Sequence, residues 1–274
     1  MTAQLDAHIK PQSSLKVPSA ETQIPGVLPI SSFHPGQWAA FTSKSRVTAV
    51  TAGQGGGKTS LGYWWVYAHM QAFPKESHLI AFPDYGLLNR VVMNKPDPDR
   101  PTLVEFLRAM GEEPVLHIQD RWINCRSGQI FFGSAKDIVG WEGAHVKSCW
   151  VDEFDECPVE VYKRALERTR MRGGHILLTG TPRKVAWIKR EIVPRVKAGD
   201  KDFAQIIQFP STANPRYDPK TMAEAQATMP AWEYRRIHLG ELAEMDAGGV
   251  FRSSWFKSYS LVRQGDGWYA EVLG

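Results

Sequence analysis

Ala52-Gly53-Gln54-Gly55-Gly56-Gly57-Lys58-Thr59 stands between a β-like apolar run, Arg46 to Thr51, and a helical pattern from Thr59 to Phe73. Strand, glycine-rich turn and helix in that order make a phosphate-binding loop. The glycines let successive backbone N–H groups turn inward toward phosphate oxygens, and the helix N-terminus behind them adds partial positive charge. Lys58 is predicted to reach the β- and γ-phosphates, and the Thr59 hydroxyl to bind Mg²⁺. Gly53, Gln54, Gly55, Gly56, Gly57 and Ser60 complete the predicted nucleotide contacts. Ala52 replaces the first glycine of the usual pattern.

Lys147-Ser148-Cys149-Trp150-Val151-Asp152-Glu153 is a short apolar run that ends in two carboxylates. A buried parallel strand delivering acids at its C-terminal edge supplies a nucleotide site with its metal anchor. Asp152 is predicted to hold Mg²⁺ and Glu153 to act as general base toward water. A glutamate directly after the metal-binding aspartate favours hydrolysis coupled to movement over phosphoryl transfer to a small molecule. ATPases of that kind carry an extra strand between the two motifs, for which 78–82 and 129–133 are available. His175-Ile176-Leu177-Leu178-Thr179-Gly180-Thr181-Pro182 is a third strand with hydroxyls at its end, placed to sense the γ-phosphate through Thr179, Gly180 and Thr181. Gln37, in Phe33-His34-Pro35-Gly36-Gln37, has an amide able to read adenine.

From Phe33 onward strand-like and helix-like segments alternate, the signature of an α/β fold with a mostly parallel central sheet flanked by helices. Strands are expected at 46–51, 78–82, 115–118, 129–133, 147–151, 175–179 and 204–209. Helices are expected at 36–43, 59–73, 85–92, 101–110, 158–171, 184–197, 219–227 and 231–238, with Pro101 and Pro219 as helix-start residues. The Ser127-Gly128 turn predicts a hairpin between Trp122 and Phe132. Together these read as a P-loop NTPase of the additional-strand, RecA-like (ASCE) class. Residues 1–30, with four prolines among Ser, Thr and Gln, read as a flexible arm. The ATPase domain is expected over 31–247 and an extended linker or tail over 248–274.

The chain has 274 residues, 43% of them apolar, and a net charge of only +4, so contact with a polyanion has to come from a local patch. The densest basic stretch runs from Arg183 to Lys201. Lys184, Lys189, Arg190, Arg195 and Lys197 there are candidate contacts to DNA phosphates. Three cysteines without metal-type spacing argue against a disulfide framework. No apolar run is long enough for a membrane span.

In chain order these elements resemble the ATPase domain of the large terminase subunit of tailed bacteriophages, over roughly Phe33 to Phe256. The resemblance includes Ile138-Val139-Gly140-Trp141-Glu142-Gly143 ahead of Asp152-Glu153 and Thr179-Gly180-Thr181-Pro182 as the coupling motif. It extends through Ser211-Thr212-Ala213-Asn214-Pro215 and Trp232 to Glu241 to Gly249-Val250-Phe251. It implies an ATP- and Mg²⁺-dependent motor that drives double-stranded viral DNA into a procapsid. Its partners are then the portal protein, the terminase small subunit and copies of itself in a ring, usually a pentamer, in the host cytoplasm during virion assembly. Many terminases carry an arginine where this chain has Gln54. Arg168, Arg170 and Arg172 are candidates for the missing charge, within the subunit or toward a neighbour. Only 18 residues follow Phe256, and Asp266 alone cannot build a two-metal nuclease site, so the nuclease domain is expected to be absent or on a separate chain. Two other readings share these motifs: a superfamily-2-like helicase fragment, and a non-catalytic nucleotide-binding assembly protein. The helicase would need a second RecA-like domain, and the assembly protein would have no need of Glu153.

Overall fold

The computed structural model describes residues 29–93, 101–141, 143, 145–184, 186–244, 259–264 and 267–272, the last two segments as backbone only. Strand β1 (Val47–Ala52) feeds the glycine turn, and helix α2 (Lys58–Ala72) follows it. Beyond them come β2 (Ser77–Phe82), β5 (Gln129–Ser134), β6 (Ser148–Asp152), β7 (His175–Gly180) and β8 (Ala204–Phe209). These six strands pair in parallel, in the order β5-β2-β6-β7-β1-β8. Two short strands, β3 (Val115–His117) and β4 (Trp122–Asn124), extend the β5 side in antiparallel pairing, with Ser127-Gly128 turning β4 into β5 as the sequence predicts.

One expectation about this sheet is corrected. The strand between β1 and β6 is β7, not 78–82 or 129–133; β2 and β5 lie on the far side of β6. The chain leaves β6, crosses through helix α5 (Val159–Arg170) and returns next to β1. The hydroxyl-tipped strand therefore stands between the lysine and the acids, and all three come out at the same edge of the sheet.

Each strand alternates its side chains between two cores. Trp150, Ile80, Phe82 and Leu177 face α2, with Leu61, Trp64 and Phe106. Val47, Ala49, Val151 and Leu178 face the other way, toward Phe154, Tyr162 and Trp187. Helix α2 is buried on nearly every side, as an apolar helix lacking a polar face must be. Gly62 makes this possible, because a Cβ at that position would come within 2.1 Å of the Trp150 ring. Cys125, Cys149 and Cys157 are free and buried. Among the described residues no helix is long and apolar enough to cross a membrane.

Helices α1 (Pro35–Phe41), α3 (Tyr85–Val92), α8 (Pro219–Thr228) and α9 (Ala231–Ile237) lie close to the predicted spans. Helix α4 (Leu103–Ala109) starts after a Thr102–Glu105 capping box rather than at Pro101. The helix expected over 184–197 is two, α6 (Ala186–Glu191) and α7 (Val193–Lys197), because Pro194 has no N–H to continue the ladder. The predicted tail contains a hairpin, Tyr259–Gln264 paired antiparallel with Gly267–Val272. The N-terminal arm up to residue 28, Glu142 and Gly249-Val250-Phe251 lie outside the described residues.

Two histidines are sealed in at the sheet edge away from the glycine turn. Burial pushes His69 down to about 3 and His78 down to about 4, so both rings are neutral in the fold. Unfolded, they take up a proton near pH 6.5. Their stabilising contribution is complete above that pH and is lost as pH falls toward the folded values, by about 1.4 kcal/mol per pH unit per ring. Melting of wild type and His69→Phe between pH 7.5 and pH 4.5 checks this: the variant is expected to gain on the wild type as pH drops. A pH-independent difference would contradict it.

Candidate nucleotide site

The turn after β1 is forced into shape by its neighbours. Gly53 has no room for a side chain, since a Cβ would lie 2.3 Å from the His238 carbonyl and 2.4 Å from the Ser211 amide. Gly55 and Gly57 take φ of +74° and +90°, where other residues are strained. The Gly53 amide donates to Phe209 O (3.0 Å) and the Gln54 amide to Ile237 O (2.8 Å), while Asn214 Nδ2 holds Gly55 O (2.6 Å). Gln54 and Gly55 stay exposed at the crest. Gly57 caps α2 with no side-chain hydrogen bond, and Thr59 and Ser60 behind it are partly buried.

Lys58 is buried at the centre. Its Nζ donates to Thr181 Oγ1 (2.8 Å), Gly53 O (3.2 Å) and Ala52 O (3.3 Å). Burial lowers its pKa, opposed by the charges of Glu153, Asp152 and Asp155. Two strands away, Asp152 Oδ1 accepts from Thr179 Oγ1 (2.6 Å) and from the Glu153 amide (3.1 Å), and Trp150 Nε1 donates to Thr179 Oγ1 (2.7 Å). Burial, then the neighbouring Glu153, raises Asp152 to about 7. Glu153 sits in left-handed backbone (φ +47°, ψ +46°), an uncommon state for a non-glycine residue. It is half-buried, and its Oε2 has no hydrogen-bond partner. Arg183 NH1 lies 3.7 Å from that oxygen. Beyond Glu153 opens a cleft of about 590 Å³, lined in part by Asp84, Arg90, Lys136, Glu156 and Arg183.

The residues present fit a magnesium nucleotide. A buried ammonium held by two carbonyls and a hydroxyl suits phosphate oxygens, and the buried Asp152 carboxylate beside it suits a cation. Among the described residues no group of three His, Cys, Asp or Glu side chains could hold a metal. A Mg²⁺ ion between Thr59 and Asp152 would therefore complete its shell with phosphate oxygens and water.

Three sequence assignments change. Gln37 is fully buried and both ends of its amide are occupied: Nε2 donates to Gly57 O (3.1 Å) and Oε1 accepts from the His34 amide (3.3 Å). It braces the glycine turn, and burial keeps its amide away from the open surface where a base would lie. His34 Nε2, 3.4 Å from Gly56 O, adds to that brace. Arg168 and Arg170 lie in the last turn of α5, at the opposite edge of the sheet, where Arg168 O accepts from Val146 just ahead of β6. Twelve residues at 1.5 Å per residue carry that turn about 18 Å away, so neither reaches Lys58 of its own subunit. Arg172 is there too, its carbonyl bonded to Lys147 Nζ. The guanidinium beside the site is Arg183, which the sequence presents as the first charge of the basic stretch. Its adjacency to Thr181-Pro182 is the signal that places it here instead.

That basic stretch is not one patch. Lys184 pairs with Glu156 at the catalytic edge, Lys189 with Glu244, Arg190 with Glu191 (2.9 Å) and Arg195 with Asp200 (3.8 Å). Arg195 also lies over the Phe203 ring, and Lys197 ends α7 near the start of β8. Four of the five candidates have an acidic partner in the fold.

Residues 50–258 match the family described as terminase large subunit, T4likevirus-type, N-terminal. This chain belongs to the terminase large subunit family. The solved large terminase of the thermophilic bacteriophage D6E, in complex with ADP, superposes with a TM-score of 0.63 at 18% identity, over 77% of this chain and 54% of that one. The Thermus phage P74-26 large terminase ATPase domain superposes at 0.58 and 16% identity, over 77% of this chain and 94% of that one. The HK97 bacteriophage large terminase gives 0.54 and 13%, over 76% and 50%. No curated protein matches the chain. The terminase chain thus has the fold of these ATPase domains and spans about half the length of the D6E and HK97 proteins.

Replacing Gln37 in this terminase tests its reassignment. A brace serves any base, so Gln37→Ala is expected to weaken ATP and GTP binding by the same factor, about tenfold for two broken hydrogen bonds. Titration with fluorescent analogues of both nucleotides decides: a loss confined to ATP restores the adenine-reading role.

Proposed function

We propose that this chain is the ATP-hydrolysing motor domain of a terminase large subunit, driving double-stranded DNA into a procapsid. The observation that carries the reading is the meeting of Lys58, Thr181, Asp152 and Glu153 at one sheet edge, under a glycine turn. Family membership supports it, as do related folds solved with ADP and with ATP-gamma-S. The portal protein, the terminase small subunit and further copies of the chain in a ring are its proposed partners. The host cytoplasm completes the proposed setting. The domain boundaries proposed are an arm over 1–30, the ATPase over 31–247 and a linker over 248–274.

Lys58, released from the Ala52 and Gly53 carbonyls, neutralises the β- and γ-phosphate oxygens, and the first-turn amides of α2 add their donors. Thr59 and Asp152 are the residues that would hold Mg²⁺, which would supply charge compensation for the phosphates. Glu153 takes a proton from the water whose oxygen attacks γ-phosphorus, and the bond to the bridging oxygen breaks to leave ADP and phosphate. Thr179 fixes the Asp152 carboxylate, and Trp150 fixes Thr179. Thr181 changes partner when Lys58 turns to phosphate, so the loop after β7 registers occupancy.

Glu153→Gln is expected to keep nucleotide affinity while lowering turnover by ~10² to 10⁴, and Lys58→Ala to lose both. A phosphate-release assay beside equilibrium binding reads the two apart; normal hydrolysis by the glutamine variant would move the base elsewhere. Reversing Lys189 and Arg190 to Glu is expected to weaken duplex binding and to reduce the log–log salt slope by about one for each DNA phosphate no longer neutralised. An unchanged slope would take the DNA track off this stretch.

A further inference from the structure

Asp155 takes part in none of the steps above, yet it is one of the most deeply placed acids in the molecule, 1% exposed. It lies in the single turn Phe154–Glu156 that follows Glu153. Its Oδ2 accepts from the Arg183 amide (3.2 Å), and its Oδ1 is buried without a partner. Gly180, the last residue of β7, packs directly against it: a Cβ there would come within 2.5 Å of Oδ1 and 2.9 Å of the Phe154 ring. Burial first, and Glu153 second, push this carboxyl up to about 7. A half-satisfied buried acid costs stability, so its presence calls for another reason.

Its position offers one. The turn that carries Glu153 and the loop Thr181-Pro182-Arg183 come from different strands, and Asp155 bonds one to the other. At its near end that loop receives the Lys58 ammonium on Thr181. At its far end Arg183 faces Glu153, and α6 follows, with Trp187 edge-on to Phe154 at 5.5 Å.

We propose that Asp155 is a positioning residue: by holding the Arg183 amide it fastens the Thr181–Arg183 loop to the turn bearing Glu153. A change of partner at Lys58 then reaches the base and α6 as one movement. The proposal rests on the ATPase reading, but its first test does not need turnover.

Asp155→Ala removes the acceptor, while Asp155→Asn keeps an oxygen for the Arg183 amide. In nucleotide-free protein, hydrogen–deuterium exchange over residues 181–184 is expected to speed up about tenfold in the alanine variant, with β1 and α2 unchanged, and to stay near wild type in the asparagine variant. In ATP turnover with linear duplex DNA, kcat is expected to fall about tenfold in the alanine variant with KM within about threefold, and to recover in the asparagine variant. Exchange and kcat within about twofold of wild type in the alanine variant would overturn the proposal. So would faster exchange throughout the sheet in both variants, which marks a packing role. Wild-type protein without turnover counts against the ATPase reading alone, and the exchange result still decides the role of Asp155.

Discussion

A lysine ammonium taken out of water at the sheet edge is the constraint around which this site is arranged. Burial penalises the charge by several kcal/mol unless oxygens replace the missing water. Here Thr181 and two carbonyls of the glycine turn replace it. Those acceptors come from β1 and β7, so the ammonium sits where it does only because the two strands are neighbours. Asp152 and Glu153 help keep it charged, and burial makes the charge of Asp152 costly in turn. Hydrogen bonding in this set is incomplete: orphaned oxygens remain on Glu153 and Asp155. A phosphate chain would give the ammonium its own acceptors, and the attacking water would give Glu153 a donor.

The glycine turn is held from outside as much as from within. His34 and Gln37 support it from α1, Asn214 from the segment after β8, and the Ile237 carbonyl from the end of α9. Segments far apart in the chain thus meet under one turn. That explains why motifs before and after the sheet belong to the site although none of them faces the phosphates. A turn braced in this way is organised for phosphate before phosphate arrives, which lowers the ordering cost of binding.

Much of the architecture is legible in the sequence because the central strands are apolar runs and α1, α3, α4 and α8 start at side-chain caps. The lysine, the two acids and the threonine strand are legible because their chemistry fixes their order along the chain. What escapes is set at long range. Which strand lies between β1 and β6 depends on the crossover through α5, and no local pattern encodes it. Arg168 and Arg170 look available because they precede the threonine strand, but a helix about as long as the strands carries them to the opposite edge of their own subunit. Gln37 has the residue type of a base reader, and only the fold reveals that its amide is buried under the glycine turn. Asp155 reads as a third charge in an acidic turn, since nothing local announces that Gly180 leaves space for it.

A crystal structure of the chain with Mg²⁺ and ATP-gamma-S tests the central claim most directly. The account predicts the metal between Thr59 and Asp152, the terminal phosphate on Lys58, and the lysine detached from the Ala52 and Gly53 carbonyls. Nucleotide bound away from the glycine turn, or bound there with Lys58 still on those carbonyls, would contradict it.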